Sequence, residues 1–136
     1  MILVDSDVLI ANLRGLDAAH SWLVKARTER GPLAVSAVGV AEITGGMRSP
    51  ERREVNRLLR SLRILPVTDA VAYRAGEFRR RYRRSHAAIG LADYLVAATA
   101  DLHGLPLATL NLKHFPMFDD LRAPFPLLGD DVEFPR

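Results

Sequence analysis

The sequence has no cysteine, which excludes disulfides and thiolate zinc sites and is compatible with a reducing compartment. No stretch approaches the roughly 18 to 20 apolar residues of a membrane span. The first residues lack the basic-then-apolar layout of a signal peptide, because Asp5 would interrupt any such core. A cytoplasmic protein is therefore expected. There is a single tryptophan, Trp22, which reads as core. Internal repeats, domain linkers and low-complexity segments are also missing, so residues 1–136 read as one domain. A chain of that length buries about two thirds of the surface that its unfolded form exposes, so folding needs no staple.

What the chain does have is unevenly placed positive charge. The formal net charge is only +3. The arginines, however, gather in two sets, Arg52, Arg53, Arg57, Arg60 and Arg63, and then Arg79, Arg80, Arg81, Arg83 and Arg84. A guanidinium is a planar fork of donors that matches two phosphate oxygens at once. The second set falls at the carboxyl end of a helix, where the helix dipole already favours positive charge, so a structural reason competes with phosphate binding.

Strands alternate with helices along the chain. Ile2-Leu3-Val4 shows no apolar-polar alternation, the pattern of a parallel strand covered on both faces. Short helices are expected over Asp7–Arg14, stopped by Gly15, and over Ala18–Thr28. Pro32–Val35 reads as a strand, and Ser36 caps a helix from Ala37 to about Ile43, closed by Gly45-Gly46. Ser49 and Pro50 look like the start of an amphipathic helix with Val55, Leu58, Leu59 and Leu62 on one face. Ile64–Val67 gives a strand, and Thr68 caps a helix whose Val71, Ala75, Phe78 and Tyr82 share a face. A further helix runs over Ile89–His103, closed by Gly104, and Pro106–Leu110 gives another strand; Leu127-Leu128 would add an edge strand. The pattern is that of a three-layer α/β domain with a central, mainly parallel sheet flanked by helices.

Three carboxylates stand in apolar surroundings. Asp5 ends the first strand, at the end of an open α/β sheet where ligands bind. It also sits where Asp5, Ser6 or Asp7 would cap the next helix. Glu42 lies among Val38, Val40, Ala41 and Ile43, and Asp93 among Leu91, Ala92, Leu95 and Val96. Asp101 lies two turns beyond Asp93, roughly 12 Å along the axis, and reads as surface. Brought together, Asp5, Glu42 and Asp93 make an oxygen-rich pocket suited to Mg²⁺ or Mn²⁺. Without a cation such a cluster repels itself and shifts its own pKa values.

Four segments carry a family resemblance in order and at family-like spacing: Val4-Asp5-Ser6-Asp7-Val8-Leu9-Ile10, Val40-Ala41-Glu42-Ile43, the run from Leu91 to Ala98, and the run from Leu107 to Phe115. The chain resembles a PIN-domain ribonuclease, and more narrowly the VapC-type toxin of a VapBC toxin–antitoxin pair. The resemblance implies a PIN-like fold and a metal-dependent endoribonuclease that leaves 5′-phosphate and 3′-hydroxyl ends. Asp5, Glu42 and Asp93 match the family's metal-binding acids. Ser6 matches a position whose hydroxyl orients Asp5 or water, Thr109 supports the last motif, and Asn111 stands where the wider family often has aspartate. That substitution puts a tightly held second metal in doubt, with Asp119 or Asp120 as substitutes for the missing charge. His20, His86, His103 and His114 are read as dispensable.

Arg79, Arg80, Arg81, Arg83, Arg84 and Lys113 are the expected RNA contacts, acting on backbone rather than bases. The resemblance further implies an antitoxin of the VapB type lying across the pocket, and homodimers or toxin–antitoxin hetero-oligomers. Apolar faces bearing Val38 and Ile43, or Leu58 and Leu62, would serve those contacts or the core. Two other classes compete: a PIN-type RNA-binding module without activity, favoured by Asn111, and a receiver-like phosphotransfer domain. The latter lacks its acid on a central strand, since Ile64–Val67 carries none.

Overall fold

The computed structural model describes residues 1–126. In chain order the elements are β1 (Ile2–Val4), α1 (Ser6–Leu13), α2 (Asp17–Arg30), β2 (Leu33–Ser36), α3 (Ala37–Gly46), α4 (Arg52–Arg60), β3 (Arg63–Leu65), α5 (Asp69–Tyr82), α6 (Leu91–His103) and β4 (Leu107–Ala108). Their four strands form one sheet in the order β3-β2-β1-β4, with every pair parallel. The chain therefore steps outward from β1 to β2 to β3 and then returns to the far side of β1. That reversal creates a topological switch point between β1 and β4, the place where open parallel sheets bind ligands.

Pleating divides the core into two layers. Ile2 and Val4 of β1, Leu33 and Val35 of β2 and Ala108 of β4 face one side, where Val8, Leu9, Leu23, Val55 and Leu59 cover them. Leu3, Ala34 and Leu107 point the other way, onto α5 and α6 through Val71, Ala75, Phe78, Tyr94 and Val96. All three residues of β1 are buried, as its unbroken apolar run predicts. A strand with one wet face could not be this uniformly apolar. Trp22 is only partly buried and packs at the margin of the first layer, less deeply than a core tryptophan.

Helix boundaries follow local chemistry, with instructive departures. Gly15 and Gly104 close α1 and α6 at φ 86° and 63°, a region that a β-carbon disfavours. The Ser36 hydroxyl accepts from Val38 N, and that of Thr68 from Val71 N, as N-caps do. Gly45-Gly46 does not end α3 but forms its last turn. Ser49-Pro50 opens a short 3-10 turn rather than α4 itself: Glu51 turns back to accept from Arg48 N, and the α-helix begins at Arg52. At the sheet edge, β3 is short and leaves Ile64 half exposed. Leu127-Leu128 lies outside the described residues.

Candidate active site

Asp5 is where the sheet and the site meet. Its backbone N–H donates to Ala108 O at 2.8 Å, continuing the β1–β4 ladder by one bond. Its side chain then caps α1, Oδ1 accepting from Ser6 N at 2.9 Å. The other oxygen, Oδ2, accepts from the Thr109 hydroxyl at 2.8 Å across the switch point. The capping role and the site role are thus the same placement. Asp5 is 8% exposed and Thr109 is wholly buried.

Asp7 completes this inner corner, a placement that the sequence does not show. Its Oδ2 accepts from Leu110 N at 3.0 Å and lies 3.2 Å from the Thr109 hydroxyl. Thr109 has one hydroxyl hydrogen, which the two carboxylates share, Asp5 at the shorter distance. Asp7 Oδ1 is buried with no hydrogen-bond partner among the described residues. A pair of acids two residues apart at a helix start was the available signal. Its meaning depended on where β4 would return, about a hundred residues later.

Glu42 belongs to the rim. It lies on α3 and is exposed, yet Ser6 Oγ donates to its Oε1 at 3.0 Å. Gly39, one turn earlier, permits the approach: a β-carbon there would stand 2.8 Å from Val35 Cγ2, so α3 could not pack so closely on β2 with any larger residue. Asp93 sits in the first turn of α6, its Oδ2 3.4 Å from Gly90 N, where the helix dipole favours an acid. The same oxygen is 2.9 Å from His114 Nδ1, and that nitrogen is 2.9 Å from Asn111 Nδ2. Asn111 precedes and His114 ends a 3-10 turn, Leu112–His114. Residues three apart eclipse in that geometry, which is why the two side chains meet. His114 therefore stands in direct contact with Asp93, a placement that the sequence does not show.

The electrostatics mark the corner as overcharged. Burial first, then the charge of Asp7 and more weakly that of Glu42, pushes the Asp5 carboxyl up from 3.8 to about 7, against the pull of its Thr109 and Ser6 bonds. Burial likewise raises Asp7, opposed by its Leu110 and Thr109 bonds and reinforced by the charge of Asp93. Among the described residues, no three acids or histidines stand close enough to hold an ion as they are arranged. Their chemistry nevertheless fits a hard dication: all the donors are oxygens, one of them is buried without a partner, and the carboxylates repel one another. Positive charge placed among them would relieve both conditions.

The other sequence candidates lie outside this corner. Arg79, Arg80 and Arg81 form the last turn of α5, and Arg79, Arg80 and Arg83 line an open groove of about 650 Å³ with Tyr73, Gly76 and Glu77. Arg84 and Lys113 are also exposed. Burial raises the Tyr94 phenol while the Arg79 charge pulls against it, so Arg79 acts electrostatically on the residue next to Asp93. Asp101 pairs with Arg74 on the surface, and Asp119 and Asp120 are exposed in the loop beyond β4.

A parallel α/β domain with acids converging on its switch point defines a class, and comparison gives the family. The PIN domain family matches residues 2–120, and the chain belongs to it. It is 64% identical over 129 residues to Ribonuclease VapC10 of Mycobacterium tuberculosis, covering 95% of this chain and 96% of that one. It is 35% identical over 125 residues to Ribonuclease VapC19 of the same species, covering 92% and 100%. Among solved structures, a toxin–antitoxin complex from Klebsiella pneumoniae superposes with a TM-score of 0.78 at 24% identity, over 93% of this chain and 100% of that one. FitAcB from Neisseria gonorrhoeae gives 0.68 at 29% identity, over 85% and 91%.

Proposed function

We propose that this protein is a metal-dependent endoribonuclease and the toxin of a VapBC-type toxin–antitoxin pair, acting in the cytoplasm. The observation that carries this reading is the buried Asp5 at the β1/β4 switch point, which feels the charges of Asp7 and Glu42 as Asp7 feels that of Asp93, in a chain 64% identical to a ribonuclease over nearly its whole length. Asp5, Glu42 and Asp93 would hold Mg²⁺ or Mn²⁺, with Asp7 as the half-buried charge behind them. When bound, the ion supplies Lewis-acid stabilisation of the charge that builds on the phosphate oxygens and eases deprotonation of water.

The chain's own residues do the rest. Ser6 and Thr109 fix two of the acids by hydrogen bonds that leave each carboxylate further lone pairs. Glu42, exposed and held through one oxygen, accepts the proton released as water attacks phosphorus. The P–O3′ bond breaks, and the products carry a 5′-phosphate and a 3′-hydroxyl. Arg79, Arg80, Arg81, Arg83, Arg84 and Lys113 offset the repulsion between an acidic pocket and a polyanion by gripping backbone phosphates.

The partner is a VapB-type antitoxin, within a homodimeric or hetero-oligomeric assembly. An apolar groove of about 270 Å³ between α1, α3 and α4, lined by Ile10, Leu13, Met47 and Val55, has Arg14 and Glu42 at its margin. A segment seated there would cover one of the acids.

The test is cleavage of total RNA by antitoxin-free protein with Mg²⁺ or Mn²⁺, with EDTA and Asp5→Asn as controls. Discrete fragments with 5′-phosphates, lost in both controls, are expected. RNA binding without cleavage under either metal would replace this reading with that of a binding module.

A further inference from the structure

We propose that His114 is a positioning residue for Asp93, and that Asn111 acts through His114 rather than on the metal. This rests on the nuclease reading above. A carboxylate only accepts hydrogen bonds, so the 2.9 Å contact between Asp93 Oδ2 and His114 Nδ1 requires the hydrogen on Nδ1. The Asn111 amide then turns its oxygen, not its nitrogen, to the same N–H. The two ends of an amide are assigned from such hydrogen-bond patterns.

The geometry gives the pair a specific task. Asp93 stands on the first turn of α6, with its side chain and that of His114 each about a quarter exposed, so neither is locked by burial alone. The Gly90 contact, at 3.4 Å, is too long to hold the carboxylate by itself. The His114 bond fixes Oδ2 and leaves Oδ1 of Asp93 as the oxygen available to an incoming cation. Asn111 in turn fixes the imidazole ring from its own position three residues earlier. Its backbone N–H is tied to the Thr109 hydroxyl at 3.1 Å, and Thr109 bonds Asp5. One short segment, Thr109 to His114, thus orients acids from both β1 and α6.

Ligand-orienting partners of this kind are worth about 10- to 100-fold in metal affinity. The experiment is Mn²⁺ titration followed by electron paramagnetic resonance, in full-length protein free of antitoxin. His114→Ala should weaken binding by about 10- to 100-fold. His114→Asn, whose side-chain amide reaches the place of Nδ1, should recover most of the loss, whereas His114→Gln, whose amide reaches the place of Nε2, should not. Asn111→Ala should weaken binding less than His114→Ala. Wild-type affinity in His114→Ala would overturn the proposal. So would equal losses in all three His114 variants together with lowered melting temperatures, which would make His114 a packing residue. Failure of the wild-type protein itself to bind Mn²⁺ would overturn the nuclease reading too, a distinguishable result.

Discussion

The inner corner of the site and its rim hold carboxylates in opposite ways. Asp5 and Asp7 are packed between β1 and β4, share a single threonine hydroxyl, and have burial working against their charge. Glu42 and Asp93 stand at helix surfaces, each held through one oxygen by a side-chain donor, from Ser6 and His114 respectively. The acids are therefore not equivalent. The inner pair stores repulsion, and the rim pair reaches solvent.

The sharpest way to break this contrast is to neutralise one acid of each kind. Asp5→Asn and Asp93→Asn should both reduce RNA cleavage by on the order of 10³-fold or more. Their effects on the metal-free fold should diverge: Asp5→Asn should raise the melting temperature at pH 8 because it removes a buried, repelled charge, and Asp93→Asn should leave it nearly unchanged. Equal melting shifts in the two variants would erase the distinction.

Next in size is the dependence on pH. The folded protein holds the Asp5 proton up to about 7, whereas an ordinary carboxyl releases it near 3.8. Between those values the folded state binds the extra proton, so stability without metal should fall as pH rises through that window and then level off. Thermal melts in EDTA from pH 4 to 9 would read it, with a drop on the order of a few kcal/mol at most. Adding Mn²⁺ should raise the melting temperature more at pH 8 than at pH 5. A flat profile would mean that Asp5 is ionised throughout and unstrained.

The smallest effect compares the two hydroxyls. Thr109→Val keeps the shape but leaves Asp5 and Asp7 without their shared donor, and should cost about 1–3 kcal/mol in denaturant unfolding. Ser6→Ala removes a bond to an exposed glutamate and should cost less than about 1 kcal/mol.

Much of this was legible in the sequence because burial leaves a simple trace. An unbroken Ile2-Leu3-Val4 required a covered parallel strand, and acids at Asp5, Glu42 and Asp93 stood out against apolar neighbours. What was not legible depended on distant returns of the chain. The role of Asp7 stayed open because nothing local says that Leu110 N–H and Thr109 will arrive beside it. The His114–Asp93 contact was hidden in the same way, its two residues lying 21 positions apart on different elements. Ser49-Pro50 misled for the opposite reason: the local signal was real, but Arg48 and Glu51 close a tight 3-10 turn before the helix proper begins.

The bond between Thr109 and Asp5 spans 104 positions of chain. Asp5, Glu42 and Asp93 all precede β4 in the chain, so the acids are made before the strand that sets the geometry of the first of them. The contacts of Thr109 with Asp5 and of His114 with Asp93 form only once that later segment packs beside β1 and α6. A truncation before residue 107 would therefore keep all three acids and lose these partners, because β4 follows the other three strands in sequence yet pairs with β1.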